Sequence, residues 1–259
     1  MSASIHFPTQ FEKAEDKEVL LKYLGSRIAK NKMGQHWEEV LNRAKSEKDM
    51  QVFLEQYPEL LPGIQDKHNG PRKGIIVSQF QFGSDYKADF AFVTTNSMEL
   101  QFTFIEIEDP SEIIFNKDDS FSQHFNHALQ QVRDWMRWSK SNTSNLLHMY
   151  ADLFQNYNIS NDLKTSRGFL IYGRRSEIES SQRRKERWSS LAAENSREIQ
   201  IMTYDRLGAF FVTHPSDEVI RELVTCSYKD RGFVFRPSSI AFPHSLNYMI
   251  SRELQSDVL

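Results

Sequence analysis

The chain has 259 residues, of which 39% are hydrophobic and 12% aromatic, and its net charge is −3 from 32 basic and 35 acidic residues. These core-forming side chains exclude disorder as the main state, and ten glycines with one cysteine exclude a collagen-like or disulfide-scaffold protein. The single Cys226 and the lack of a bilayer-length apolar run or a signal pattern predict a soluble, cytoplasmic protein with no membrane partner.

The first part of the chain has the apolar spacing of helices. Ser46 is a typical N-cap residue, and Asp49 three residues later gives a carboxylate variant of the capping box. Pro62 then ends the apolar pattern, because proline cannot continue a helix. We predict helices over 19–28, 37–44 and 47–61.

After Pro62 the period of the apolar residues changes from about 3.6 to 2, which indicates strands. Strands are predicted over 75–82, 87–94, 100–108, 168–173 and 199–204, and helices over 120–139, 146–157, 177–195, 207–212 and 218–225. A hairpin turn is predicted at 83–85. Since strands alternate with helices only in the second half, we predict an α/β (α+β) fold with a mixed sheet flanked by helices.

Carboxylates stand out in the block of strands. Asp89 is a lone acid in the apolar run KADFAFVT, where it is expected to share a face with Ala91 and Val93. Glu106 and Glu108 are two residues apart in LQFTFIEIE and so point to the same side of their strand. Carboxylates at the end of a buried face are costly without a positive charge, which Mg²⁺ or Mn²⁺ would supply. The alternative is pairing with arginine or lysine, or a solvated strand end.

Two helices add polar residues to these acids. Glu55 lies between core positions and could face the same cavity, although such an acid is more often a solvated helix charge. Gln131 could orient a water or contact a phosphate, or be an ordinary boundary residue. His124 and His127 have a spacing compatible with a shared metal, but no third ligand follows at a recognisable spacing.

Cationic residues cluster late in the chain. The six are Arg174, Arg175, Arg183, Arg184, Lys185 and Arg187, and they outnumber the three glutamates among them. A local excess of this kind can contact a phosphate backbone, and a solvated helix face is the alternative. The glycine motifs of NTPases, dinucleotide enzymes and α/β-hydrolases do not occur in the sequence.

An acidic helix residue, a strand aspartate, E-x-(K/E) on the next strand and a helix glutamine together resemble the PD-(D/E)XK nuclease superfamily. More narrowly, the chain resembles the Shedu antiphage-defence family. The residues that carry this resemblance are FLEQYPELL (53–61), FGSDYKADFAFV (82–93), FIEIEDP (104–110), HALQQVRDW (127–135), FLIYGRR (169–175) and IQIMTYDRL (199–207). The resemblance implies a restriction-endonuclease-like core of a helix, three strands, a helix and a strand.

On this basis we expect three units along the chain. An N-terminal helical segment covers 1–45, a PD-(D/E)XK nuclease-like domain covers 46–229, and a C-terminal tail of irregular structure with a possible terminal helix covers 230–259. The parts outside the nuclease-like domain are expected to sense a trigger or to mediate assembly.

The resemblance implies a metal-dependent DNA endonuclease that acts in antiphage defence. It implies Mg²⁺ or Mn²⁺ bound by Asp89 and Glu106, with the carbonyl of Ile107 as an additional ligand and supporting roles for Glu55 and Gln131. The usual lysine of the superfamily is Glu108 here, which cannot supply a positive charge but can act as a base or a further metal ligand.

The substrate implied is DNA, and the cationic residues expected to contact it are Arg174, Arg175, Arg183, Arg184 and Lys185. A homo-oligomer is also implied, because cleavage of both strands is easier with two sites. Two alternatives stay open. One is a catalytically inactive nuclease-fold module that binds DNA or a partner protein, which Glu108 and the net negative charge favour. The other is a structural or regulatory subunit whose acids only form ion pairs.

Overall fold

A computed structural model of the chain describes residues 28–29, 33–64, 70–82, 86–95, 98–149, 163–213, 223–229, 232–238 and 240–241. The helices are α1 (Met33–Arg43), α2 (Glu47–Gln56), α3 (Gln123–Ser141), α4 (Thr143–Met149), α5 (Arg175–Glu179), α6 (Gln182–Asn195) and α7 (Tyr204–Thr213). The strands are β1 (Ile28–Ala29), β2 (Ile75–Phe82), β3 (Tyr86–Thr95), β4 (Glu99–Ile107), β5 (Leu163–Ile171), β6 (Ile199–Met202), β7 (Val224–Lys229), β8 (Gly232–Pro237) and β9 (Ile240–Ala241). Short 3₁₀ turns lie at Pro58–Leu60 and Arg72–Gly74.

Seven strands form one mixed sheet in the order β6-β5-β4-β3-β2-β7-β8. β2, β3 and β4 make an antiparallel meander, whereas β4, β5 and β6 run parallel to one another. β7 pairs in parallel with β2 and antiparallel with β8, and β1 and β9 form a separate parallel pair. The predicted fold class, a mixed sheet flanked by helices with the order helix, three strands, helix, strand, is confirmed.

Helices cover both faces of this sheet. On one face the apolar side of α3 packs on the meander, and the ring of Trp135 stacks on that of Phe82 with 5.4 Å between the centroids. On the other face α1 and α2 contribute Trp37 and Leu54, which pack with strand residues such as Phe90. Because large buried aromatic rings dominate both layers, hydrophobic burial holds the strand ends of this sheet in fixed positions.

The start of α2 confirms the capping prediction and places the helix relative to the sheet. The Ser46 hydroxyl accepts a hydrogen bond from the Asp49 N–H at 3.3 Å, and the Asp49 carboxylate accepts one from the Lys45 N–H at 2.9 Å. The carboxylate therefore reaches back one residue further than in a standard capping box. Glu47 consequently lies in the first turn of the helix, where an acidic side chain also favours the helix dipole.

Several predicted elements differ from the structure. The helix predicted over 218–225 is wrong at its end, because residues from Val224 onward form β7, and the tail predicted to be irregular contains β8. Long-range pairing of β7 with β2 overrides the local helical pattern. Helix 177–195 is divided into α5 and α6, because the Ser181 hydroxyl accepts from the Arg184 N–H and starts a new helix.

Asp205 lies in the first turn of α7, where its carboxylate binds Arg174. The helix predicted over 146–157 is observed as α4, which is described to residue 149. Most of the helix predicted over 19–28 and the turn predicted at 83–85 lie outside the described residues.

Candidate active site

Three carboxylates lie together where β3 and β4 stop pairing. Asp89 is 6% exposed and Glu106 is 7% exposed, and their carboxyl groups lie close enough for each to act on the pKa of the other. The Ile107 N–H donates to Asp89 Oδ2 at 2.9 Å. Glu108 follows directly after the last residue of β4, and its charge acts on Glu106. The structure thus brings the three acids predicted from the strand pattern into one cluster.

Helix α3 supplies the fourth member of this cluster. The Gln131 side-chain amide donates from Nε2 to Glu106 Oε1 at 2.7 Å. The apolar residues on either side of it along the helix, such as Leu129 and Val132, are buried against the sheet, which fixes the rotation of the helix. The amide therefore holds one oxygen of Glu106 in a defined direction.

Burial and neighbouring acids raise the pKa of each carboxyl group in the cluster. Burial raises the pKa of Asp89 to about 6, partly opposed by the hydrogen bond from Ile107. Burial and the charge of Asp89 raise the pKa of Glu106 well above its ordinary value, and burial with the charge of Glu47 raises that of Glu108 to about 7. Within the described part of the chain no arginine or lysine pairs with Asp89 or Glu106.

An acid of α2 that was not predicted, Glu47, acts on the cluster. Its charge raises the pKa of Asp89, Glu106 and Glu108. The Glu55 carboxylate, farther along the helix, accepts a hydrogen bond from the Ser78 hydroxyl at 2.5 Å. The N-terminal turn of α2 therefore faces the cluster. The cap at Ser46 marks this turn in the sequence, but no local pattern shows that it lies above the sheet edge.

The residue opposite Asp89 on β2 was not predicted. Gln79 has a φ of +56°, in the left-handed region, and its Nε2 donates to Asp89 Oδ1 at 2.8 Å. The pairs on either side, Ser78 with Phe90 and Phe80 with Ala88, keep the same register, so no residue is inserted. A sequence signal exists, because the apolar alternation of IIVSQFQF breaks at this point.

Both strands change face at this pair, which corrects the simple alternation expected for Asp89. Val77 and Phe80 pack on the α3 side although they are three residues apart, and so do Ala88 and Ala91. An uninterrupted strand would place residues three apart on opposite faces. The 79/89 pair is therefore the point where β2 and β3 both turn over.

The donor set fits a divalent cation of the Mg²⁺ class. In a strand the N–H and C=O of one residue point to the same neighbour, so the carbonyl of Ile107 points toward Asp89, as its N–H does. Asp89, Glu106 and this carbonyl offer hard oxygen ligands. No group of three or more His, Cys, Asp or Glu side chains with metal-holding geometry is found among the described residues. Mg²⁺ needs none, since it is commonly bound by one or two carboxylates with waters and phosphate oxygens.

The predicted cationic residues separate into two groups. Arg174 binds the Asp205 carboxylate through Nε and NH2, and Arg184 binds Asp119 Oδ1 from Nε at 2.6 Å, so both guanidinium groups are engaged inside the protein. The remaining three, Arg175, Arg183 and Lys185, are exposed. Members of the two groups are neighbours in the sequence, because successive side chains of a helix point in different directions.

Two of the exposed cations line a groove of about 380 Å³ at the ends of β5 and β6. Arg175 and Lys185 lie in it with Arg206 and the half-buried ring of Trp188, and Glu179 is the one acid among the lining residues. None of the three cations forms an ion pair within the part of the chain that the structure describes. Sequence reasoning missed Arg206 and Trp188, because they belong to separate helices that only the fold brings together.

This groove lies at the same sheet edge as the carboxylates. Ile107 of β4 is aligned with Ile171 of β5, which is aligned with Met202 of β6, and all three strands are parallel. Two strand spacings separate β4 from β6, which is roughly 10 Å across the sheet. The carboxyl edge of the sheet therefore presents an acidic cluster beside a cationic groove.

None of the helices in the described ranges combines the length and apolar character required to cross a bilayer. No curated protein matches the chain. The model of the family described as "Shedu protein SduA, C-terminal" matches residues 44–207, which is more than half of the chain and includes the acidic cluster and the groove. The chain therefore belongs to the Shedu protein SduA C-terminal family.

Proposed function

We propose that this protein is a metal-dependent deoxyribonuclease of the PD-(D/E)XK type that acts in antiphage defence. The observation that carries the proposal is the buried pair of Asp89 and Glu106, which hydrogen-bond donors hold in place and which no cationic side chain among the described residues neutralises. Burying two carboxylates in this way is costly, and a bound divalent cation would offset that cost. Membership of the Shedu family supports the role in defence.

The residues of the site have separate roles in this proposal. Asp89, Glu106 and the Ile107 carbonyl would hold Mg²⁺ or Mn²⁺, which would lower the pKa of a water and neutralise the scissile phosphate. Glu108 lies at the solvent side of the cluster, where it can take the proton from the attacking water as general base. Gln131 orients Glu106 through its amide hydrogen bond. Since no positive side chain among the described residues replaces the missing lysine, the reaction depends strongly on the cation.

The first experiment is cleavage of linear and supercoiled DNA with Mg²⁺, Mn²⁺ or EDTA. We expect cleavage that requires metal and disappears in Asp89→Ala, while Glu186→Gln, which alters an exposed acid on α6, cleaves like the wild type. Metal-independent cleavage, or equal cleavage by Asp89→Ala, would refute the proposed site. A chain that cuts neither substrate but binds DNA in EDTA would be the inactive binding module, which Glu108 in place of lysine favours.

We further propose that the groove lined by Arg175, Lys185 and Arg206 holds the DNA backbone beside the cluster. Along the axis of a DNA duplex each strand carries one phosphate about every 3.4 Å, so the roughly 10 Å from β4 to β6 corresponds to about three nucleotides along that axis. Cations that form no ion pair within the described residues are available to phosphate oxygens. The Trp188 ring offers a surface on which an unpaired base can stack. Arg183 is exposed beside this surface and belongs to the same proposal.

DNA binding in EDTA tests the groove independently of cleavage. We expect Lys185→Ala and Arg206→Ala each to weaken binding to all sequences alike and to reduce the salt slope by about 1, since each removes one phosphate contact. Arg137→Ala is the matched control, because this exposed arginine pairs with Asp134 on α3 and does not line the groove. Equal salt slopes for all three variants and the wild type, measured by fluorescence anisotropy, would exclude the groove as the DNA contact.

A homo-oligomeric assembly and a cytoplasmic location complete the proposal. Cleavage of both DNA strands favours two sites in one particle, and light scattering of the full chain tests this directly. A monomer at working concentration that still makes double-strand breaks would contradict the assembly but not the nuclease.

A further inference from the structure

Gln79 has a backbone conformation that its residue type disfavours. A residue with a Cβ at a φ of +56° brings that atom close to the neighbouring carbonyl, and glycine or asparagine is the usual occupant of such a position. The position lies inside β2, with regular pairs on both sides, and not in a turn. Residues held in such conformations inside regular structure often mark functional sites, where the surrounding fold maintains them.

The side chain of Gln79 is longer than that of glycine or asparagine, the residues that this backbone conformation favours. Its amide reaches Asp89 Oδ1 at 2.8 Å, while Ile107 holds Oδ2 at 2.9 Å, so both oxygens of this carboxylate have a defined donor. An asparagine is one methylene shorter and a glycine has no amide. The glutamine therefore forms a hydrogen bond with Asp89 that glycine or asparagine at this position cannot form.

We propose that Gln79 is a positioning residue that fixes the Asp89 carboxylate for its cation. The inference rests on the proposed function of the cluster. With one donor on each oxygen, the plane of the carboxylate is set, and each oxygen keeps a lone pair that can bind a cation. Gln79 has its left-handed conformation where β2 and β3 change face, and this conformation places the amide beside Asp89.

The test compares metal affinity with stability in Gln79→Gly and Gln79→Asn. Both variants relieve the backbone but remove the amide from Asp89. We expect thermal midpoints equal to or above that of the wild type, because the relieved backbone offsets the lost hydrogen bond. Mn²⁺ affinity, measured by calorimetry, should fall about tenfold or more, as for other groups that orient a metal ligand. The Mg²⁺ concentration for half-maximal cleavage should rise similarly, with a smaller change in the rate at saturation.

Gln81→Gly is the control, because Gln81 is exposed on the same strand and pairs regularly with Lys87. It should lower the thermal midpoint and leave Mn²⁺ affinity unchanged. Wild-type Mn²⁺ affinity in both Gln79 variants would overturn the inference, and so would a loss of affinity that parallels a fall in thermal midpoint. A wild-type chain that binds no Mn²⁺ would overturn the inference together with the nuclease itself, which is a different result from a metal-binding wild type with unaffected variants.

Discussion

Glu106→Gln is expected to abolish DNA cleavage and at the same time to make the protein more stable. The variant keeps an oxygen that accepts from Gln131, and its new amide can donate to Asp89, so it removes the cost of ionising Glu106 as the pH rises while the hydrogen bond from Gln131 remains. We expect a gain of about 1–2 kcal/mol in the free energy of unfolding without metal. Cleavage should fall about 10²–10⁴-fold, because a bound metal supplies several kcal/mol of transition-state stabilisation.

Thermal unfolding in EDTA at two pH values checks the charge argument. The folded pKa values of Asp89, about 6, and Glu108, about 7, lie above their ordinary values, so the folded protein binds more protons than the unfolded chain in this range. Stability is therefore greatest below about pH 4 for these groups and is lost as the pH rises through 6 and 7. We expect a lower midpoint at pH 8 than at pH 5.5, a smaller difference in Glu106→Gln, and recovery at pH 8 on addition of Mg²⁺. A Glu106→Gln protein less stable than the wild type would show that the pair is not under electrostatic repulsion.

Arg184→Ala should lower the free energy of unfolding by about 1–3 kcal/mol, because it leaves the partly buried Asp119 carboxylate without its partner. Arg184 binds Asp119 and donates from NH2 to the Asn116 carbonyl at 3.0 Å, and its guanidinium lies 5.2 Å from the Phe115 ring centroid. Glu177, 3.8 Å from Arg184, accepts the N–H groups of residues 114 and 115. These contacts hold the segment 108–122, which joins Glu108 to α3.

Lys185→Ala is the matched variant for this prediction, since it removes one cation from the next position of the same helix. Lys185 is exposed and lines the groove, so its loss should leave the unfolding free energy within about 0.5 kcal/mol of the wild type. Chemical denaturation and DNA binding in EDTA, measured on both variants, separate the roles. Stability lost in Lys185→Ala and kept in Arg184→Ala would reverse the assignment of structural and DNA-contacting cations.

The parts of the fold that depend on local pattern could be predicted well. β2 has the predicted bounds, 75–82, and Ser46 caps α2 as its side chain indicated. The reason is physical: the side-chain period and the capping group act within one or two turns of the chain. Asp89 and Glu106 could also be singled out from the strand pattern, because an acid inside an apolar strand is costly to bury without a partner.

Side-chain partners that belong to other elements could not be predicted in the same way. Nothing within α2 distinguishes Glu47 from Glu55, and the position of the helix over the sheet edge decides that Glu47 acts on the cluster. Arg184 and Lys185 are adjacent in the sequence, yet the segment packed against α6 binds one guanidinium and leaves the other cation exposed. β7 is a strand because β2 offers it an edge to pair with.

The sequence by itself determined the order of elements, the alternating faces that bury the core and the acids that cannot be explained as core, since these follow from neighbouring residues. Only the tertiary structure decided which groups hold those acids. Gln79, Gln131 and the Ile107 N–H come from three elements, and their convergence depends on strand register and helix packing across the whole sheet. The electrostatic character of the site follows from that convergence, because the pKa of a carboxyl group depends on its burial and its nearest charges.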